Sequence, residues 1–582
     1  MAGQREIWEL RSRSLGHNLQ DFILASDASF DFRAVGLRER GSFTDWRVIA
    51  KVFSGLERYT PLLKLHLNAV DYGIVVAYFL VILLIGLRLR RSNNTSQQFF
   101  EAGRSLPLAI TGIAFVAANC GSLEVMGMVS TSAKYGWRAV HFYWIGAVPA
   151  MLFLALLMMP IYYRSKVRSV PEFLKVRFGE PTRVFNALSF AVLTVLVSGV
   201  GLYAMALILQ VIFGWNFTLA TVISAVFVLA YILLGGLRAT MYNEVLQFAL
   251  IVIGFAPLAW YSVLYCWGKQ GHIWVEMRAV DPHAATMDGL GVIFGLGFVL
   301  SFGYWCTDFV LIQRGLAARD LPTASGTPLV AAAVKLFFPL LVVVPGVAAA
   351  AILPGSLSGR FDLALPSMLE RYYPHGLLGL GVTAVLASFM SGMAGNISAF
   401  NTVWTYDLYQ AHLAKGRSDA HYLLVGRIAT VVATVLSVGT SFVVLRFNNL
   451  MDYVQMLFSI FNAPLFATFL LGMFTRWATP VGALAGLVCG TLASFGHWLL
   501  YQDGILKYGS DMTASFYGAG VGWLFCFFIT IAVSLVTEES LRMVPVYRPP
   551  GIRAGAGSLP LPLLLSAAGI LLALVVLNFI FA

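Results

Sequence analysis

Runs of apolar residues long enough to cross a bilayer, separated by short polar connectors, recur along most of this chain and constrain its fold more than any other feature. From Asn68 onward there are about fourteen segments of spanning length, near 68–88, 108–132, 140–163, 184–211, 217–236, 240–267, 289–313, 327–353, 375–409, 421–446, 449–475, 480–501, 516–537 and 560–582. The segment at 375–409 is long enough to extend past the bilayer. With 59% hydrophobic and only 12% charged residues over 582 positions, the chain carries more apolar surface than one soluble core can shield. In lipid the backbone must satisfy its own polar groups, so the expected class is an all-α, polytopic membrane protein.

A formal net charge of +11 raises the question of nucleic acid, but the distribution answers it. Lys and Arg gather in short connectors, such as Arg88 to Arg91 and Arg164 to Arg183, which is the positive-inside pattern. Alternating the connectors puts the richer side in the cytoplasm and both ends of the chain outside. Residues 1–67 are an Arg-rich, polar and amphipathic extension without a signal-peptide apolar region. The longest outer connectors, 268–288 and 354–374, read as solvated loops, with lids as the alternative. Five cysteines without metal-ligand spacing, Cys120, Cys266, Cys306, Cys489 and Cys526, read as packing residues.

Two spans are interrupted. In Phe115-Val-Ala-Ala-Asn-Cys-Gly-Ser-Leu-Glu-Val-Met-Gly-Met128, Asn119, Gly121, Ser122 and Glu124 place polar groups near mid-membrane depth, where an ionisable side chain costs at least about 2.5 kcal/mol. A broken helix uses these residues: glycine lets the backbone unwind, and the freed carbonyls face a cation while nearby side chains face a solute. Such a break must line a cavity rather than lipid. The span at 289–313 is interrupted likewise by Gly303, Thr307 and Asp308.

Other polar residues in apolar runs are candidates on their own chemistry. Ser388 and Ser391 share one helical face and offer hydroxyl oxygens to a small hard cation; the alternative is back-bonding to their own helix. Lys335, in an apolar span, reads as functional or as snorkelling to an interface. No HExxH, GxSxG or GxxxxGK[ST] arrangement occurs, and His141 stands alone in its span, so no enzyme is expected.

Four stretches, Phe100-Glu-Ala-Gly-Arg-Ser-Leu106, Val170-Pro-Glu-Phe-Leu-Lys-Val-Arg-Phe-Gly179, Gly235-Gly-Leu-Arg-Ala-Thr-Met-Tyr-Asn-Glu-Val-Leu-Gln247 and Tyr304-Trp-Cys-Thr-Asp-Phe-Val-Leu-Ile-Gln-Arg-Gly-Leu-Ala-Ala318, resemble the sodium:solute symporter family, and within it the sodium/glucose cotransporters. The likeness runs in order from about residue 68 to about residue 500. It implies a leading helix at 68–88, two inverted five-helix repeats at about 108–267 and about 289–475, and trailing helices at 480–582. The two interrupted spans then open the two halves.

For the coupling sodium ion, the resemblance implies the carbonyls of Ala117 and Cys120 with the hydroxyls of Ser388 and Ser391. The chain departs from the family's adjacent serines, having Ser391-Gly392. Glu244 falls where relatives carry an aspartate on the cytoplasmic side of the core, which implies an acid that attracts the outgoing cation or exchanges a proton; the alternative is an interfacial carboxylate paired with Arg238 or a basic loop. Positions implied for the solute are Asn119, Glu124, Tyr143, Tyr304, Trp305, Asp308, Lys335 and Gln455. Glu124 and Tyr143 break the sugar pattern: either the pocket acid has moved across to Glu124 with Lys335 as counter-ion, or the solute is an aminated or cationic one. Asp308 has a helix-break cap as its alternative role. The expected function is sodium-coupled symport of a small polar solute, a sugar or polyol, across the plasma membrane. Proton coupling and non-transporting solute sensing are the alternatives, and the expected partners are solute, sodium and bilayer, not nucleic acid.

Overall fold

The computed structural model describes residues 64–89, 100, 102–268, 287–353, 357, 360–445, 447, 449–537 and 559–581. The expected N-terminal extension therefore lies, up to residue 63, outside the described residues, as does most of the 268–288 connector. The described chain is helical throughout its spans: α1 Ala69–Leu89, α2 Leu108–Asn119, α3 Leu123–Val140, α4 Phe142–Arg164, α5 Val170–Phe178, α6 Glu180–Phe213, α7 Phe217–Gly268, α8 Gly291–Thr307, α9 Phe309–Leu316, α10 Leu321–Ile352, α11 Ala364–Tyr372, α12 Leu377–Leu413, α13 Asp419–Val444, α14 Leu450–Phe474, α15 Pro480–Gln502, α16 Asp511–Thr537 and α17 Leu561–Phe581.

Local chemistry sets many of the ends. Asp320 starts α10 by accepting the Thr323 N–H at 2.8 Å, and Ser169 starts α5 by accepting that of Glu172 at 3.0 Å, each satisfying a first-turn donor. Gly214 ends α6 in the left-handed region, where its N–H reaches the Gln210 carbonyl, a stop that glycine adopts without a Cβ penalty.

Among the described residues, eleven helices are long and apolar enough to span, and two bent pairs raise the number to thirteen. The expected fourteen is not reached. The expected segment 217–236 contributes only a shorter apolar helix, Phe217–Ala230, at the start of α7. Both ends of α7 meet one neighbourhood. Phe213, just before it, stacks on Tyr72 of α1 at 6.0 Å. The Leu258 N–H donates to the Tyr373 hydroxyl at 3.0 Å, and nearby Gly376 donates to Asp71 of α1 at 2.6 Å. A straight helix would hold Phe217 and Leu258 roughly 60 Å apart, so α7 doubles back along its length.

Burial separates centre from rim. In α6, α12 and α14, 83% of the apolar window is buried, against 22% in α1 and 17% in α17. Close approach of α15 and α16 depends on Gly482, Gly486 and Gly490, one turn apart; a Cβ on Gly490 would lie 2.6 Å from that of Cys526, the small-residue packing that bilayer helices use. The expected solvated loop at 354–374 is corrected over its described part. The turn Phe361–Leu363 and α11 bury Asp362, Leu365, Met368 and Leu369, because α11 lays an apolar face on the bundle.

Candidate functional site

The first break lies between α2 and α3, which meet at 57°. Here the main chain leaves the helical ladder: the Gly121 N–H bonds the Asn119 carbonyl at 2.7 Å, and the Glu124 and Val125 N–H groups converge on the Gly121 carbonyl at 3.1 Å. The Ala117 carbonyl accepts instead from the Ser391 hydroxyl of α12 at 2.9 Å. Gly121 and Gly392 meet main chain to main chain. A Cβ on Gly121 would stand 3.0 Å from the Gly392 Cα, and one on Gly392 would stand 2.9 Å from the Gly121 Cα. Ser388 turns its hydroxyl to the Val385 carbonyl at 2.8 Å, while its own carbonyl lies 3.7 Å from where a Gly121 Cβ would sit. Cys120 is fully buried, its thiol 4.0 Å from the Lys335 ammonium.

Beside this break is a buried polar cluster. Lys335 Nζ lies 2.5 Å from Asn119 Oδ1 and 2.5 Å from Glu124 Oε1. The second contact is a charge pair without hydrogen-bond angles, since Glu124 Oε1 has no hydrogen-bond partner. The rings of Phe338, Tyr143 and Trp305 surround the ammonium at 4.5, 5.5 and 5.7 Å, within cation–π range. The Lys335 side chain is 0% exposed, which overturns the snorkelling alternative: its charge is compensated on the spot rather than carried to an interface. Asn119 Nδ2 donates to the Tyr304 hydroxyl at 3.1 Å. The Tyr304 ring stacks on Phe458 at 4.9 Å and meets Trp305 edge-on at 5.1 Å.

Two of the expected solute residues stand apart in bonding. The Tyr143 hydroxyl is buried without a hydrogen-bond partner among the described residues. Among the described residues Gln455 reaches only the Met451 sulfur, its Oε1 buried without a partner, and makes no hydrogen bond to Asn119, Glu124 or Lys335. It lies one turn from Phe458 on α14, on the face that carries Phe458 to Tyr304.

The second break, between α8 and α9, bends by 48°. Asp308 caps α9 there, its Oδ1 accepting the Val310 N–H at 2.8 Å, which is the cap alternative read from the sequence. With Asn119, Ser122, Thr194, Tyr304 and Asn396 it also lines a cavity of about 30 Å³, space for one or two waters and far below the roughly 300 Å³ that a small-molecule pocket starts from. The structure is thus a compact state around the breaks.

Glu244 is fully buried and pairs with Arg314 of α9. This corrects the expected interfacial pairing with Arg238 or a basic loop: α9 packs its arginine inward, where it also donates to the Val310 carbonyl at 2.6 Å. Arg314 falls just past the 289–313 span, beside Gln313 and near Arg319 and Asp320, so hydropathy gave no signal that it is buried.

Sequence reasoning also missed a polar closure on the side of the 354–374 connector. Lys134 and the Tyr135 hydroxyl, both on α3, reach Asp452 of α14 at 2.6 and 2.9 Å. The buried Asp362 accepts from the Ser130 hydroxyl at 2.8 Å, the Leu450 N–H at 3.4 Å and the Tyr203 hydroxyl at 3.5 Å. Burial pushes the Asp362 carboxyl up to about 7, Asp452 adds to the rise, and the donors from Ser130, Leu450 and Tyr203 oppose it.

Two spans broken at 57° and 48°, joined by the partly buried polar contact of Asn119 with Tyr304, mark a membrane carrier architecture. The family model for the sodium:solute symporter family matches residues 99–490, and the chain belongs to that family. It is 29% identical over 470 residues to sodium/glucose cotransporter 4 of Homo sapiens, covering 73% of this chain and 69% of that protein. It is 30% identical over 468 residues to a sodium/mannose cotransporter of Bos taurus, covering 73% and 78%, and 28% identical over 470 residues to sodium/myo-inositol cotransporter 2 of Sus scrofa, covering 73% and 69%. A substrate-bound, outward-open Na+-coupled sialic acid symporter shares the fold, with a TM-score of 0.69 at 18% identity over 81% of this chain and 98% of that one. The chain is therefore a multi-pass membrane transporter of a sodium-coupled family, and not an enzyme.

Proposed function

We propose that this chain couples inward sodium movement to uptake of a small, neutral, hydroxyl-rich solute, a sugar or polyol, across the plasma membrane. The observation that carries the reading is the compensated cluster: Glu124 and Lys335 neutralise each other beside Asn119 and Tyr304. A cationic solute would find Glu124 already paired and the Lys335 ammonium opposed to it. A neutral polyol instead offers donors to Glu124 and acceptors to Lys335 and Asn119, with the Tyr304 and Trp305 rings as apolar walls for its C–H face. The identity of the curated relatives, carriers named for glucose, mannose and myo-inositol, favours the same class.

In this reading the repeats at 108–267 and 289–475 move about the two breaks. The sodium ion sits between the Ala117 and Cys120 carbonyls and α12, where Ser391 gives its hydroxyl and the Ser388 hydroxyl, bonded to the Val385 carbonyl in this state, turns in to join it. Glu244, held by Arg314, tunes the cytoplasmic exit route, and Tyr143 and Gln455 join the solute shell when the pocket opens. Ion and solute both favour the closed arrangement of the breaks, so each raises the affinity for the other by the same factor.

Purified protein in proteoliposomes tests this. An inward sodium gradient should drive accumulation of a labelled sugar or polyol, competed by other neutral polyols and not by quaternary amines. Uptake indifferent to sodium at fixed pH, or selective for amines, would overturn it.

A further inference from the structure

The main-chain contact between Gly121 and Gly392 carries a consequence for the coupling ion. A Cβ on Gly392 would lie 2.9 Å from the Gly121 Cα, closer than real Cβ atoms approach a backbone, and one on Gly121 would lie at a tight 3.0 Å from the Gly392 Cα; backbone on both sides leaves no flexible tip to move away. The contact is backed from α6: a Cβ on Gly201 would lie 3.7 Å from the Met393 Cβ and 4.0 Å from the Ser122 Oγ, the residues that follow the two glycines. One position before Gly392, the Ser391 hydroxyl meets the Ala117 carbonyl at 2.9 Å. A hard cation with oxygen ligands at about 2.3–2.6 Å accepts two oxygens at that separation as neighbours in its shell.

We propose that Gly392 is a positioning residue for the coupling cation, its missing side chain letting α12 seat directly on the broken helix and so fixing the gap between the Ser391 hydroxyl and the Ala117 carbonyl. The proposal rests on the ion site put forward above and deepens it. A hydroxyl at position 392 has no room to act as a ligand here. Any side chain there wedges α12 from Gly121 and spreads the two oxygens, so serine and alanine have the same effect.

The test is the half-saturating sodium concentration for uptake in proteoliposomes, read beside the half-saturating solute concentration at saturating sodium. Gly392→Ser and Gly392→Ala should both raise the sodium requirement, alike and by at least about fivefold, with the solute value at saturating sodium moving much less. A Gly392→Ser protein needing no more sodium than the wild type, or clearly less than Gly392→Ala, means that the hydroxyl binds the ion and overturns the proposal. Equal losses in both sodium and solute values also overturn it, since they mark a general structural defect. Should neither Gly392 variant reach the membrane, Gly121→Ala, which wedges the same contact from the broken helix with a Cβ 3.0 Å from the Gly392 Cα, decides: a rise of at least about fivefold in the sodium requirement with little change in the solute value supports the seat, and a change under about twofold removes it. Sodium-independent uptake by the wild type is a different outcome, and it refutes the symport reading itself.

Discussion

Lys335 and Glu124 are each tolerable in the bundle only because of the other. Removing one partner of a buried pair leaves an uncompensated charge and costs about 3–5 kcal/mol, whereas removing both leaves none. Glu124→Gln and Lys335→Met should therefore each lower the thermal unfolding temperature markedly, and the double variant should recover much of the loss while remaining transport-inactive. Thermal unfolding in detergent checks this, and additive losses in the double variant would show that the two charges do not compensate each other. The sequence exposed both residues as ionisable groups in apolar spans, and the resemblance placed them in one pocket. Arg314 escapes that rule because it lies just beyond the apolar span 289–313, and its partner Glu244 is 70 positions away.

At the scale of elements, the turn Phe361–Leu363 ties α3, α6 and α14 through one carboxyl. Asp362 is raised to about 7, against an ordinary value of 3.8. Between these pH values the folded protein holds a proton that the unfolded chain has released. The stabilisation is complete below the unfolded value and is lost as pH rises through about 7. Asp362→Asn, a neutral side chain of the same shape, should flatten that dependence, so that its unfolding temperature changes less than the wild type's between pH 5 and pH 8. Parallel pH curves for the two proteins would contradict the assignment. The packing of this segment was hidden from composition, since a polar, mixed stretch reads as a solvated connector until α11 is seen to bury Leu365, Met368 and Leu369.

Across the whole molecule, the ties Lys134–Asp452 and Ser130–Asp362 join helices on one side, and the cavity at the breaks holds about 30 Å³. In the proposed transport cycle, a solute of sugar size would enter only after these ties open, and sodium that pre-orders the break would lower the cost of closing on the solute. Thermal unfolding with sodium alone, solute alone and both together should show more stabilisation from the pair than the sum of the single shifts, with each saturating ligand contributing on the order of 2–3 kcal/mol near a hundredfold excess over its dissociation constant. Strictly additive shifts would mean that the two sites do not communicate.

Periodic hydrophobicity and the cost of bare backbone in lipid determined, from sequence alone, that this chain is a bundle of membrane helices with weak points at Asn119–Ser122 and near Asp308. Those are one-dimensional properties, because a span must satisfy its own hydrogen bonds whatever its neighbours do. Pairing was decided only in three dimensions: Glu244 with Arg314, Lys134 with Asp452, and Gly121 against Gly392. Which charge is compensated and which backbone approaches which depend on how distant helices pack, and neither hydropathy nor spacing records that distance.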